Sequence, residues 1–321
     1  MIVWYSIAGV LLLAFVFRAV KQVFLGYRPN NLKQRHLLEI GKEKEIFPAT
    51  LRMVTSRNCK PNDGADNTFI QETAGFLADY SALLLGCGAT CIRTEKNTQR
   101  MAGAFGVGFD LSIMPTHVYV SVWGEDDANR HVAVRKTATC GISFNINVRL
   151  SRLSWEIADN RLSLATAMER FRRIKEDTTP TGKYEVLVLT SLANASFCRL
   201  FGGDWVAMLI VFASTLVGYK LKQVMLEDKR DVRLTFLCAS FFSSALSACG
   251  HIFGISSTPE VALGTSVLYL IPGVPYINAV SDMINRHYLC AFSRFIDAAV
   301  LTACLSAGLC AGMLILGLKW F

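Results

Sequence analysis

The run Ser257–Asn285, STPEVALGTSVLYLIPGVPYINAVSDMIN, constrains the fold more than any other stretch. It is long enough to cross a bilayer, for which about 20 apolar residues suffice. Yet Pro272 and Pro275 stand in its middle. Proline removes a backbone donor and crowds the preceding turn, so Pro272-Gly273-Val274-Pro275 is expected to kink or interrupt the helix. Unpaired backbone at membrane depth is tolerated only inside protein or beside a water-filled cavity. Broken helices of this kind build substrate sites in transporters. A proline kink used only for packing is the alternative.

Composition sets the wider frame. The chain is 52% hydrophobic and 18% charged, but unevenly so. Residues 28–183 hold most of the charge and no long apolar run, whereas 184–321 are mostly apolar. That division indicates a membrane protein with a soluble portion. The net charge of +8 comes from basic residues flanking apolar segments, which the positive-inside tendency explains. No basic stripe interleaved with aromatics is present, so nucleic-acid binding is not expected. Of ten cysteines, Cys198, Cys238, Cys249, Cys304 and Cys310 lie in apolar runs, and Cys87 and Cys91 lack a zinc or thioredoxin spacing. They read as free thiols, with no disulfide framework, metal or cofactor.

In chain order, residues 1–25 form an apolar run followed by Arg28, Lys33 and Arg35, with Arg18 and Lys21 near its end. The charge lies after the core instead of before it, so an N-terminal hydrophobic anchor is expected, not a cleaved signal. Met53 offers an alternative start. Residues 26–68 read as a polar linker with a short helix near 31–44.

Residues 69–180 read as an α+β domain. Helices are expected over Phe69–Leu85, Arg93–Phe105, Ile146–Ile157 and a segment capped by Ser163. Strands are expected over Phe109–Met114, His117–Trp123 and His131–Thr137, with Gly124–Arg130 as a hairpin turn and Thr178–Lys183 as a link to the membrane part. Residues 184–321 should then form a five-helix transmembrane domain: Tyr184–Phe201, Asp204–Leu221, Val232–Phe253, Pro259–Ile284 and Arg294–Lys319. The fold class is thus a cytoplasmic α+β domain followed by a polytopic α-helical membrane domain, with an extra N-terminal span. Lys and Arg crowd the loops after the second and fourth segments, which places those loops and the soluble domain in the cytoplasm.

Polar residues inside the apolar runs are the candidate site. Asn194, Thr265, Ser266 and Asn278 sit within them, and most Ser and Thr there are expected to pack helices or bond back to their own backbone. Asp282 lies toward the cytoplasmic end of its span, where it either pairs with Arg286 or serves the pathway mouth. Asp297 is expected to pair with Arg294, Asp204 to cap a helix, and the GxxxG at Gly308–Gly312 to make a close helix contact. His117, Ser121 and Asp126–Asp127 are accompanied by no nucleophile elbow, P-loop, HExxH or dinucleotide fingerprint. An enzyme is therefore not expected. A membrane-tethered hydrolase and a non-transporting scaffold subunit are the alternatives.

Several stretches carry a resemblance. Phe201-Gly202-Gly203-Asp204-Trp205, Val211-Phe212-Ala213-Ser214-Thr215, Ser257-Thr258-Pro259 and above all Ser266–Met283 resemble the threonine/serine exporter family, in particular the large, YjjP-type subunit of its split form. The likeness covers about 69–321, while residues 1–68 have no counterpart. It implies export of small hydrophilic metabolites, threonine- and serine-like or a dicarboxylate such as succinate, across the bacterial inner membrane. It also implies a hetero-oligomer with a small partner membrane subunit, surrounded by lipid. By motif match Pro272, Gly273, Pro275, Asn278 and Asp282 are candidate pathway residues, joined by Asn194, Thr265 and Ser266.

Overall fold

The computed structural model describes residues 63–124, 129–137, 141–177, 182–252 and 256–315. The chain divides into two units, Met1–Lys60 and Pro61–Phe321, and every described residue belongs to the second. The N-terminal apolar run and the helix near 31–44 lie outside the described residues, as do most of the Gly124–Arg130 turn and the Thr178–Lys183 link.

Helix α1 (Asp63–Gly86) is the spine of the α+β part. Ile70, Ala74, Leu77 and Leu84 recur at helical spacing and are fully buried. The chain then turns through Gly88, whose φ of +87° lies in the left-handed region open to glycine. Helix α2 (Cys91–Phe105) begins at Thr90, whose hydroxyl accepts the Arg93 N–H, and stops at a left-handed Gly106. Strands β1 (Gly108–Ile113), β2 (His117–Trp123) and β3 (Arg130–Lys136) form an antiparallel meander in that order. Leu111, Val120 and Ala133 align across it. Alternation puts Val118, Val120 and Val122 on one fully buried face, and β2 and β3 pack on α1.

Helices α3 (Phe144–Asn160) and α4 (Leu164–Glu176) close this core, capped by the hydroxyls of Ser143 and Ser163. Tyr80 donates to the Leu150 carbonyl at 2.9 Å and accepts from the Asn97 amide at 3.2 Å. Burial raises the pKa of its phenol above the ordinary range.

The apolar half contains α5 (Lys183–Leu200), α6 (Trp205–Glu227), α7 (Val232–Ile252), α8 (Pro259–Thr265), a 3₁₀ turn (Leu268–Leu270), α9 (Gly273–Ile284) and α10 (Tyr288–Ile315). Packing runs α5–α6–α7–α10–α9. The predicted GxxxG contact is present: a Cβ on Gly308 or Gly312 would run into the Leu237 carbonyl or the Ser244 hydroxyl of α7.

Among the described residues, α6 and Tyr288–Leu314 of α10 are long and apolar enough to cross a membrane, and the broken segment makes a third if counted as one span. The sequence reading expected five. Helix α5 has 18 residues and includes Lys183, Glu185 and Arg199, while α7 runs 21 residues from Val232 to Ile252 and is apolar over its described part Val232–Ala248.

Candidate functional site

The expected break is real, and its geometry follows from where the prolines fall. Pro259–Leu270 and Gly273–Ile284 meet at 62°. Pro272 is the N-cap of α9, and Pro275 lies in its first turn, where an N–H has no intrahelical partner to lose. The break begins earlier than the prolines, at the end of α8. Its backbone donors largely bond within the segment: Leu270 N–H to the Val267 carbonyl at 3.0 Å, Ile271 N–H to Leu268 at 3.1 Å and Gly273 N–H to Ile271 at 2.8 Å. Pro272 is buried, and Gly273 and Pro275 are half-buried.

Beyond the break, α9 carries Asn278 and Asp282 onto the α1–α2 loop. The Asn278 amide donates to the Gly88 carbonyl at 2.9 Å. Asp282 is fully buried, and its Oδ1 accepts the Cys91 N–H at 2.8 Å. A carboxylate there complements the positive end of α2. Its Oδ2 lies 2.9 Å from Arg294 Nη1, an ion pair outside good hydrogen-bond angles. Arg294 Nη2 donates to the Ala89 carbonyl at 2.9 Å. Three residues at this turn, Gly88, Ala89 and Cys91, thus meet three side chains of the broken span and α10. Beside them the Cys290 thiol reaches the Ile113 carbonyl at 3.5 Å, and the pKa of the free Cys91 thiol is pushed up by hydrogen bonding with the Cys290 thiol and by burial.

Two expectations about charge need correction. Asp282 pairs with Arg294, not Arg286, which sits exposed in a left-handed turn just past α9. Asp297 does not hold Arg294, because that guanidinium reaches across to Asp282 on α9 and into the loop. Spacing of three along a helix favoured Asp297; the tertiary contact with a fully buried carboxylate wins, since an unpaired buried charge is the more expensive alternative. Asp204 caps α6 as expected, accepting the Ala207 N–H at 2.6 Å, and also takes Ser256 Oγ at 2.9 Å and both Ser257 N–H and Oγ at 2.8 Å. Burial alone would raise its pKa, but these bonds outweigh it and hold the group at about 2.

A second polar feature runs between helices α5, α6 and α7 and the broken segment. Asn194 donates to Thr215 Oγ1 at 2.7 Å, both residues being buried. Ser243 reaches the Ser214 carbonyl at 3.3 Å and lies 2.9 Å from the Tyr269 hydroxyl, which comes from the 3₁₀ turn. Tyr219 lies beside Tyr269, the rings tilted by 58° with 5.9 Å between centroids. Lys222 follows one turn on, its Nζ 5.5 Å from the Tyr219 ring and 4.9 Å from Phe236. Thr265 and Ser266 do not join this seam through their hydroxyls: they bond back to Val261 at 2.6 Å and Leu263 at 2.8 Å.

The candidate residues therefore separate into a loop junction (Asn278, Asp282) and a hydroxyl seam (Asn194). The sequence reading missed Arg294 as the partner of Asp282, and the seam residues Thr215, Tyr219, Lys222, Ser243 and Tyr269. Thr215, Tyr219 and Lys222 stand at intervals of four and three, which places them on one face of α6. That spacing was the available signal.

The chain is 25% identical over 237 residues to the "Probable succinate transporter subunit YjjP" of Klebsiella aerogenes, covering 74% of this chain and 91% of that protein. The protein of the same name from Escherichia coli strain K12 matches with the same identity and coverage. The "Probable threonine/serine exporter" of Mycobacterium tuberculosis is 18% identical over 257 residues, 80% of this chain and 48% of that protein. No solved structure gives a significant match. Residues 76–316 match the family model described as "Putative threonine/serine exporter". With a broken apolar segment, apolar helices of membrane-crossing length and a family match over most of its length, the chain belongs to the threonine/serine exporter family, a family of membrane transporters and not of enzymes.

Proposed function

We propose that the chain is the large subunit of a secondary exporter in the bacterial inner membrane, moving small hydrophilic metabolites together with a small partner membrane subunit. The cargo is a threonine- or serine-like amino acid or a dicarboxylate such as succinate. The α+β part lies in the cytoplasm, as the basic loops after α6 and α9 suggest. The observation that carries the reading is the broken segment. It supplies Tyr269 to a hydroxyl-lined seam on one side and Asn278 and Asp282 to the α1–α2 loop on the other. A rearrangement at the break would therefore move both together, as alternating access requires.

The names of the relatives support the cargo classes, and the word "subunit" in two of them supports a partner. The test is accumulation: cells lacking the gene, loaded with a threonine dipeptide or with succinate, retain the metabolite longer than the parent strain. Unchanged efflux of both classes would refute the proposal.

A further inference from the structure

Lys222 is the most unusual cation in the apolar half. It lies on α6 between the rings of Tyr219 and Phe236, at 5.5 and 4.9 Å. Among the described residues no carboxylate pairs with it, although acids stand close by in sequence. Glu227 pairs with Lys183 at 3.0 Å, and Asp231 caps α7 through the Arg233 N–H at 2.7 Å. Aromatic faces stabilise an ammonium but leave its donors unbonded. One turn deeper are the hydroxyls of Tyr219, Tyr269 and Ser243, followed by Thr215 and Asn194. These groups donate hydrogen bonds, and none of them is an anion. An incoming carboxylate would find an ammonium and hydroxyl donors; an incoming ammonium would find no carboxylate, because Asp282 is committed to Cys91 and Arg294.

We infer that Lys222 is the cation that receives a substrate carboxylate at the mouth of the seam, making it a specificity-determining residue; the inference rests on the exporter reading. The seam is closed in this structure, since Gly218 lets the Ser243 and Tyr269 hydroxyls come together against α6. The contrasting role is a lysine whose ammonium only snorkels to water.

The experiment measures equilibrium binding of radiolabelled succinate and of L-threonine to the full chain in lipid nanodiscs, with dimethyl succinate as a competitor lacking carboxylates. Lys222→Gln should weaken carboxylate binding by about tenfold or more, while Lys222→Arg stays within about threefold of the parent. A second measurement needs no variant: acetylation of Lys222, read by mass spectrometry, should slow with succinate present and not with dimethyl succinate. Absence of carboxylate binding, parental binding by Lys222→Gln, or equal acetylation with and without succinate overturns the inference. Carboxylate binding through Lys222 combined with unchanged cellular efflux would leave this site standing and remove the exporter reading.

Discussion

Asp282, 191 residues after Cys91 in the chain, accepts its backbone N–H at 2.8 Å with no solvent exposure. A carboxylate on the broken span is thus part of the N-terminal cap of α2 in the α+β part. The same carboxylate neutralises Arg294, whose side chain is 23% exposed. Asp282→Ala should therefore cost about 3 kcal/mol, toward the low end for breaking a buried pair because Arg294 retains some access to water. Asp282→Ala with Arg294→Met should recover part of that loss. Thermal unfolding in detergent checks both. A double variant no more stable than the single one would show that the pair is not the source of the loss.

Gly88 gives a prediction confined to the loop. Its φ is +87°, and a Cβ would sit 3.1 Å from the Ile142 side chain. Gly88→Ala should destabilise by about 1–2 kcal/mol from the left-handed backbone alone. It should also disturb the carbonyl that Asn278 holds. Export per folded molecule should fall along with thermal stability. Full export at reduced stability would separate the loop junction from transport.

The sequence made the α+β part legible because its elements announce themselves locally. Val118, Val120 and Val122 alternate, Ser163 precedes an apolar helical period, and glycines end α1 and α2. The break at Pro272 was legible for the same reason. The partner of Asp282 was not, because Arg286 and Arg294 are both close along the chain and the choice depends on where the α1–α2 loop docks. Hydroxyls posed a similar difficulty. Thr215 and Thr265 look alike in an apolar run, yet one accepts from Asn194 and the other bonds back to its own helix. Which occurs depends on the neighbouring helix, and periodicity does not reveal it.

Asp204 predicts a pH window. Its folded pKa is about 2 against an ordinary 3.8, so the cap and the Ser256–Ser257 bonds contribute fully above about pH 4. That contribution falls away as the pH drops through about 2, the sign expected for a depressed carboxylate. Asp204→Ala should remove about 1 kcal/mol at neutral pH, a typical N-cap loss. Its unfolding temperature should also lose part of the acid dependence between pH 4 and 2. A parallel acid profile for the variant and the parent would place the acid-sensitive group elsewhere.

Gly218 tests whether the seam has to open. A Cβ there would collide with the Ser243 and Tyr269 hydroxyls and approach the Ala239 carbonyl at 3.2 Å. The closed arrangement therefore tolerates no side chain, and overpacking of this kind typically costs about 1–3 kcal/mol. Tyr269→Phe instead removes only the hydroxyl and its bond to Ser243, worth about 1 kcal/mol. If the closed seam is one state of a transport cycle, both substitutions shift the balance away from it by different routes. Each should then change the ratio of kcat to KM in vesicle transport, with Gly218→Ala the larger effect. If the seam is static packing, Gly218→Ala should lower stability and amount of protein while transport per folded molecule stays at the parental rate. Tyr269→Phe should then be silent. Measuring transport against the folded fraction for the two variants decides between a moving contact and a fixed one.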